Sequence, residues 1–261
     1  RPPVPGSPAR VQRAADFPFR VRRLPFIKQT LNFVVPATYH ISFGDHLGTP
    51  GTAITSFGWP HLPWRPGGNG QVAVVAYAVP AASLEHWARR LRELGVEATR
   101  DERFGAGVIS LRDPDQIQLN LVGEADDARW NPWPDSPVAA APQIRAFHSR
   151  HRAAAAEDPR AEFRTPPTGG AQWHAPRPRV RFKTGPGGPN AILDLLVDPG
   201  AEKGEEAAGT VHHVAWRALD DAHEVSWREG LLAAGRTVTR VIDRKYFHSI
   251  YFREPGGVLF E

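Results

Sequence analysis

The chain has 261 residues, a net charge of +4 and 41% hydrophobic residues, a composition typical of a globular protein with a sizeable core. It contains no apolar run near the ~20 residues that a membrane span needs, and its arginines are scattered rather than clustered with aromatic residues. Neither a membrane nor a nucleic acid is therefore an expected partner. Cysteine is absent, which excludes disulfides and thiol chemistry and fits a cytoplasmic protein.

The first half of the chain contains one partial and one complete copy of a folding unit. Residues 1–25 are rich in Arg, Ala and Pro and poor in Val, Ile and Leu, so we expect them to pack loosely. Residues 32–59 read as the last strands of a first unit. Residues 71–122 predict a complete β-α-β-β-β unit, whose helix ends at Gly95. The apolar residues at helical spacing in this unit are Leu84, Trp87, Leu91 and Leu94.

The second half repeats this arrangement. Residues 149–178 again have few aliphatic residues and are expected to pack loosely, while 179–197 read as the closing hairpin of a third unit. Residues 210–261 match the complete copy in order and type, with a first strand TVHHVAWRA, a helix that ends at Gly235, and an EPGG turn in place of DPDQ. The apolar residues that recur in the second helix are Trp227, Leu231 and Ala234.

These repeats predict an α+β fold of four tandem β-α-β-β-β units in two pairs, with units one and three incomplete. Pairing would bury the apolar sheet faces that each unit exposes alone, which gives curved mixed sheets around a cleft. We place the N-terminal pair at 1–123, a linker rich in Pro, Asp and Trp at 124–143, and the C-terminal pair at 144–261.

Two adjacent histidines are the first candidates for chemistry. His212 and His213 lie on a predicted strand, where neighbouring side chains face opposite sides, so only one of them can point into a given metal site. The first copy has Ala73 and Val74 at the matching positions, and the scaffold therefore does not require histidine there. The alternative is a core histidine satisfied by hydrogen bonds.

A carboxylate at the end of the last strand is the second candidate. Glu261 ends the apolar run VLFE, and a carboxylate in such a strand is costly unless it is paired or ligates a cation. The first copy has the neutral Asn120 at this place. A histidine and a glutamate on paired strands would be two of the three ligands of a 2-His-1-carboxylate iron site. The alternative is a solvated strand end.

Two further residues lie on the approach to the last hairpin. Tyr251 can donate a proton or bind a substrate oxygen, and Arg244 can hold an oxyanion. A packed tyrosine and a surface arginine are the alternative interpretations. His40 and His248 are weaker candidates for a metal ligand.

The repeated units, together with VHHVAW (211–216) and EPGGVLFE (254–261), resemble the glyoxalase/bleomycin-resistance/dioxygenase group, the vicinal oxygen chelate superfamily. More closely, residues 28–60, 195–200 and 243–261 resemble the four-unit ring-cleaving dioxygenases that act on hydroquinones.

This resemblance implies an Fe(II)-dependent, extradiol-type ring-cleaving dioxygenase for hydroquinone-like or catechol-like aromatics, with O2 as the second substrate. It implies that His213 and Glu261 ligate the metal, Mn(II) or another divalent ion being the alternative, and that His212, Arg244 and Tyr251 contact substrate or handle protons. Family members also use a histidine in the first strand of unit one. No histidine precedes His40 here, so we expect weak metal binding and little activity.

Two alternatives remain open at this point. One is a metal-free protein of the same superfamily that binds or sequesters a small molecule, and the other is a glyoxalase-type lyase or isomerase with a different divalent metal. The sequence also leaves open a homo-oligomeric state.

Overall fold

The computed structural model of the chain describes all residues except 1–15, 32–37, 60–61, 126–129, 131, 137, 155–170, 174–178 and 184–187. The chain falls into two compact lobes. The first lobe comprises Arg1–Pro66, Val74–Arg150 and Ala207–Gly209, and the second comprises Gly67–Ala73, His151–Glu206 and Thr210–Glu261. The predicted division at 124–143 stays a prediction.

The first lobe contains an antiparallel sheet whose second and third strands lie within 32–59, the predicted end of unit one, while its first strand precedes that range. Its three strands, in the order β1-β2-β3, are β1 (Phe26–Leu31), β2 (Tyr39–Phe43) and β3 (Ile54–Phe57).

The complete unit follows and has the predicted β-α-β-β-β order. Strand β4 is paired in parallel with β7, whereas β5, β6 and β7 are antiparallel neighbours. A 3-10 turn at Ala81–Ser83 connects β4 to the helix. The elements are β4 (Val72–Pro80), α1 (Leu84–Glu93), β5 (Ala98–Arg103), β6 (Ala106–Arg112) and β7 (Gln118–Glu124).

The core face of α1 is the one that the spacing predicts, with one exception. Trp87 and Leu91 are each 1% exposed, and Gly95 ends the helix with a left-handed φ of +67°. The prediction is wrong for Leu94, which is 47% exposed, because the helix ends at Glu93 and Leu94 forms the cap beyond its last turn. In the second helix Ala234 is exposed for the same reason.

The second lobe contains the remaining two units. Strand β8 (Ala146–Ala154) ends in this lobe, and β11 (Ile192–Val197), β10 (Arg179–Lys183) and β9 (Ala171–Trp173) follow it in the sheet order. The last unit has one helix and short strands. They are β12 (His213–Val214), α2 (Asp221–Ala233), β13 (Ile242–Asp243), β14 (His248–Ser249), β15 (Phe252–Arg253) and β16 (Leu259–Phe260).

The predicted α+β class with mixed sheets is confirmed. The side chain of Asp220 caps α2, because its Oδ1 accepts a hydrogen bond from the backbone N–H of His223 at 2.8 Å. Among the described residues, no helix is both long enough and apolar enough to cross a bilayer. The cytoplasmic location stays a prediction.

Loose packing of the two arginine-rich segments is partly wrong. Phe17, Val21 and Leu24 are at most 9% exposed. Residues 16–20 are helical, and the turn that follows is held by hydrogen bonds from the N–H groups of Val21 and Leu24 to the carbonyls of residues 17 and 18. Arg90 on α1 donates hydrogen bonds to the carbonyls of Arg20 and Val21. Residues 149–153 belong to β8 and are mostly buried. Residues 1–15, 155–170 and 174–178 lie outside the described residues, and the short strand β9 lies between the last two of these ranges.

The two tight turns of the repeat share one hydrogen-bond pattern. Oδ1 of Asp113 accepts from the backbone N–H of residues 115 and 117 at 2.9 and 2.8 Å. The carboxylate of Glu254 accepts in the same way from residues 256 and 258. Glu254 also forms a buried ion pair with Arg152 at 2.8 Å, and the arginine fills the space beside Gly256, where a Cβ would lie 1.5 Å from Nη2.

Burial raises the pKa of the Asp113 carboxyl to about 6, against the lowering effects of its backbone hydrogen bonds and of the Arg22 charge. Its folded-state pKa therefore lies above the ordinary value of 3.8, and the folded state loses stability from this group as the pH rises through about 6.

We expect Asp113→Asn, which keeps the accepting oxygen, to be more stable than the parent by about 1 kcal/mol at pH 8 and to lose that advantage near pH 5. Urea unfolding at both pH values measures the difference. The matched change Glu254→Gln should lower the free energy of unfolding at both pH values, because it leaves the buried Arg152 guanidinium without its anionic partner. An identical pH dependence for Asp113→Asn and the parent would contradict the assignment.

Candidate metal and substrate site

The parallel pairing of β12 with β16 brings a histidine and a carboxylate together in the second lobe. In this pairing His213 lies opposite Leu259 and Val214 opposite Phe260. Glu261 is two residues beyond Leu259, so its side chain lies on the same face as that of His213. Nε2 of His213 is 3.0 Å from Oε2 of Glu261.

The backbone holds Glu261 in place at the end of its strand. Its N–H donates to the carbonyl of Val214 at 3.0 Å, and its carbonyl accepts from the N–H of Trp216 at 2.8 Å. These two bonds continue the ladder past Phe260, so Glu261 is not a frayed, solvated strand end.

A chain of hydrogen bonds continues from Glu261 to an arginine. The hydroxyl of Tyr251 donates to Oε1 of Glu261, and Nη2 of Arg244 donates to the Tyr251 oxygen at 2.8 Å. The guanidinium also lies 5.0 Å from the Tyr251 ring centroid, close enough for a cation–π contact. Ser249 is buried beside this pair, with Oγ 3.4 Å from Nε of Arg244. Sequence reasoning missed Ser249, which no motif distinguishes.

These contacts shift the pKa values of Glu261 and Tyr251 in opposite directions. Burial alone would raise the pKa of Glu261, but hydrogen bonds from His213 and Tyr251, with the charges of His213 and Arg244, hold it below its ordinary value. Burial and the hydrogen bond to Glu261 raise the pKa of Tyr251 to about 12. At neutral pH the site therefore presents a carboxylate beside a protonated phenol.

His212 contacts its neighbour His213 on one side and approaches Glu206 on the other. Its Nδ1 lies 2.8 Å from Nδ1 of His213, and its Nε2 lies 3.6 Å from Oε1 of Glu206. Burial, followed by the neighbouring charge of His213, lowers the pKa of His212. His212 is therefore a neutral ring at pH 7, with one nitrogen that donates and one that accepts.

The weaker candidates lie apart from this group. His248 is exposed and bonded to Asp221, with Nδ1 3.2 Å from Oδ1. His40 lies on β2 of the first lobe, where its ring packs edge-on against Phe57. Over the ranges that the structure describes, no three His, Cys, Asp or Glu side chains are arranged to hold one ion.

The first full unit repeats this hydrogen-bond chain, with a serine and an asparagine in place of the tyrosine and the glutamate. Nη2 of Arg103 donates to Oγ of Ser110 at 3.1 Å, and Ser110 donates to Oδ1 of Asn120 at 2.9 Å. Arg103, Ser110 and Asn120 each lie 141 positions before their counterparts in the last unit, which are Arg244, Tyr251 and Glu261 respectively.

The strand register is repeated as well. Val74 lies opposite Gln118, two residues before Asn120, as His213 lies opposite Leu259. Sequence comparison of the two copies found Val74 and Asn120 but missed Arg103 and Ser110, although the same offset would have identified them.

The fold is that of the vicinal oxygen chelate superfamily. Glyoxalase I from Zea mays superposes with a TM-score of 0.68 over 98% of this chain and 87% of its own, at 13% identity, a likeness that concerns the fold alone. No family model matches the chain.

Within that fold, the chain belongs to the family of ring-cleaving dioxygenases. It is 36% identical over 250 residues, 96% of this chain and 79% of the relative, to the provisionally named ring-cleaving dioxygenase MhqO of Bacillus subtilis. It is 32% identical to chlorohydroquinone/hydroquinone 1,2-dioxygenase of Sphingobium indicum, over 85% of this chain and 71% of that protein. The crystal structure of a provisionally named dioxygenase from Bacillus subtilis superposes with a TM-score of 0.87 at 36% identity, covering 98% of this chain and 80% of that one.

We expect Tyr251→Phe to raise the pKa of Glu261, because the carboxylate loses the phenol hydrogen bond that favours its charged form. A carbon-13 NMR titration of the glutamate carboxyls measures this. Ser110→Ala removes the matching hydroxyl of the first full unit and should leave Glu261 unchanged. A Glu261 pKa that does not rise in Tyr251→Phe would show that this hydrogen bond is not formed in solution.

Proposed function

We propose that the protein is an Fe(II)-dependent dioxygenase that opens hydroquinone-like aromatic rings, with His213 and Glu261 as two of its metal ligands. The observation that carries this proposal is the 3.0 Å between Nε2 of His213 and Oε2 of Glu261. Two neighbouring ligands of an octahedral ion with bonds of about 2.1 Å lie about 3.0 Å apart, so an ion fits beside both atoms without moving either.

The chemistry of the donors also fits a divalent metal. Imidazole nitrogen and carboxylate oxygen suit Fe(II) and Mn(II), and the depressed pKa of Glu261 keeps the carboxylate ionised over the neutral range. The described residues supply two ligands, and the facial iron site needs a third. The weak metal binding expected from the sequence therefore stays a prediction.

When bound, the metal would hold an aromatic diol and O2 together and supply the electron transfer between them. The neighbouring residues would then control protons and charge. Tyr251 stays protonated at neutral pH and can donate a hydrogen bond or a proton to a substrate oxygen, but it cannot act as a base. The Arg244 guanidinium beside it would stabilise negative charge on the same oxygen.

The neutral ring of His212 would take part in the same proton transfers. It contacts His213 directly and can accept a proton on one nitrogen while it donates from the other. The substrate class comes from the Sphingobium indicum relative, which is named for chlorohydroquinone and hydroquinone. For this chain we propose cleavage beside a ring hydroxyl, with an extradiol reaction on catechols as the narrower alternative.

A metal-free protein that binds an aromatic molecule is the second candidate. The observation that favours it is that the described residues bring two, not three, metal-binding side chains together. In that case Glu261 would be satisfied by Tyr251 and His213 alone, as its hydrogen bonds already allow.

Oxygen uptake with hydroquinone and added Fe(II) tests the first candidate. The sequence predicts a low parent rate, and we expect His213→Ala and Glu261→Gln each to reduce that rate further by at least about 10-fold. Removing a direct ligand should cost no less than removing a residue that only orients one. Ser110→Ala is the control and should keep the parent rate. Unchanged uptake in Glu261→Gln would refute the ligand assignment. Hydroquinone binding without metal and without oxygen uptake would support the second candidate.

The repeat offers an independent test of the two ligands. Val74→His with Asn120→Glu should transfer the pair to the first full unit, because the strand register there is the same. In a His213→Ala, Glu261→Gln background, we expect this change to tighten Co(II) binding by about tenfold or more. Val74→His with Asn120→Gln is the matched control. Equal Co(II) affinities for the two would show that the register does not define a metal-binding pair.

A further inference from the structure

The buried hydroxyl of Ser249 contacts both Arg244 and Tyr251. Its Oγ lies 3.4 Å from Nε of Arg244, and the same side chain forms a hydrogen bond with the Tyr251 hydroxyl. Tyr251 already donates its proton to Glu261, so in this second bond the phenol oxygen accepts and Ser249 donates. The Oγ of Ser249 in turn accepts from the Nε–H of Arg244.

These contacts hold the Arg244 guanidinium by one edge. In the planar fork of an arginine, Nε–H and one hydrogen of Nη2 point the same way, and here they meet Ser249 and the Tyr251 oxygen respectively. The end formed by Nη1 and the second hydrogen of Nη2 is not used by these two bonds. A bond through Nη2 alone would let that end rotate, so the contact with Ser249 fixes its direction.

The first full unit anchors the corresponding arginine with a carboxylate instead. Nε of Arg103 lies 2.9 Å from Oδ2 of Asp101, as an ion pair, and Asp101 is the cross-strand neighbour of Val108. The positions 141 residues later hold Ile242 and Ser249, which are cross-strand neighbours in the same way. In the last unit, the polar partner of the arginine Nε therefore lies on the other strand of the pair and is uncharged.

This difference decides what the guanidinium charge can do. A carboxylate in contact with a guanidinium compensates much of its positive charge, whereas a hydroxyl fixes its position and leaves the charge in place. A fixed positive charge stabilises negative charge that develops on a nearby oxygen during a reaction. The last unit combines these two properties in Arg244, and the first full unit does not combine them in Arg103.

We propose that Ser249 is a positioning residue for the reaction. It holds the Arg244 guanidinium through a neutral hydroxyl, so that the charge of the arginine serves a hydroxyl oxygen of the aromatic substrate. The proposal rests on the proposed function and adds to it the residue that orients Arg244.

Oxygen uptake with hydroquinone and added Fe(II) tests the role of the charge. Ser249→Ala should lower the rate by about 3–10-fold, mainly in kcat, because a single hydrogen bond of this length has a modest effect. Ile242→Asp with Ser249→Val copies the pair of the first full unit and should lower the rate by about tenfold or more, since the new carboxylate compensates the guanidinium. The reverse exchange in the first full unit, Asp101→Ile with Val108→Ser, is the matched control and should keep the parent rate. A parent rate in Ile242→Asp with Ser249→Val would overturn the proposal.

Nitrogen-15 NMR of the arginine Nε–H groups gives a readout that does not depend on metal binding or activity. The signal of Arg244 is the one that Arg244→Lys lacks. In the metal-free protein, its exchange with water should be at least about threefold faster in Ser249→Ala than in the parent, because the Nε–H loses its acceptor. Ile242→Asp with Ser249→Val should restore slow exchange without restoring activity, which a merely structural role of Ser249 would not produce.

An unchanged exchange rate of the Arg244 Nε–H in Ser249→Ala would refute the proposed role, whatever the activities. Thermal melting of each variant checks that it folds, and Ser249→Ala, the smallest change, decides the role of the hydroxyl by itself. A parent chain that takes up no oxygen would refute the proposed function. The role of Ser249 in holding Arg244 would then be decided by the exchange rates alone.

Discussion

The parallel pairing of β12 with β16 is the constraint on which the candidate site depends. The register fixes His213 and Glu261 on one face, two residues apart along the ladder, and the backbone bonds of Val214 and Trp216 hold the end of that ladder. Both strands are only two residues long, and β16 follows directly on a hydrogen-bonded turn. There Glu254 organises the backbone, and the buried ion pair with Arg152 fixes that turn to β8.

Comparison of the two full copies separates scaffold from chemistry. Strand order, register, the tight turn and the chain of arginine, hydroxyl and acceptor recur in both. The copies differ where Val74, Ser110 and Asn120 stand in place of His213, Tyr251 and Glu261. The first copy therefore forms the same chain of hydrogen bonds with an uncharged last acceptor, Asn120. In the second copy the last acceptor of the chain is the ionisable carboxylate of Glu261.

Much of this arrangement is readable from the sequence, because it depends on periodicity and repetition. The β-α-β-β-β units, the helix ends at Gly95 and Gly235 and the DPDQ and EPGG turns follow from local rules. The approach of His213 to Glu261 follows from strand alternation. Side-chain contacts within irregular segments do not follow from such rules, and so Ser249, which contacts Arg244 five residues away, was not found. The burial of Phe17 and Val21 was missed because arginine and proline dominate the composition around them.

The space beside Gly256 has a consequence for how the two halves can exchange sequence. A side chain there would occupy the position of the Arg152 guanidinium, whereas the matching residue of the first copy, Asp115, has a side chain. Replacement of the second turn by the first would therefore exchange Glu254 for the shorter aspartate and place a side chain where the Arg152 guanidinium lies. The two turns therefore share a backbone pattern but are not interchangeable in sequence, because the second one reserves the space beside residue 256 for a side chain from another strand.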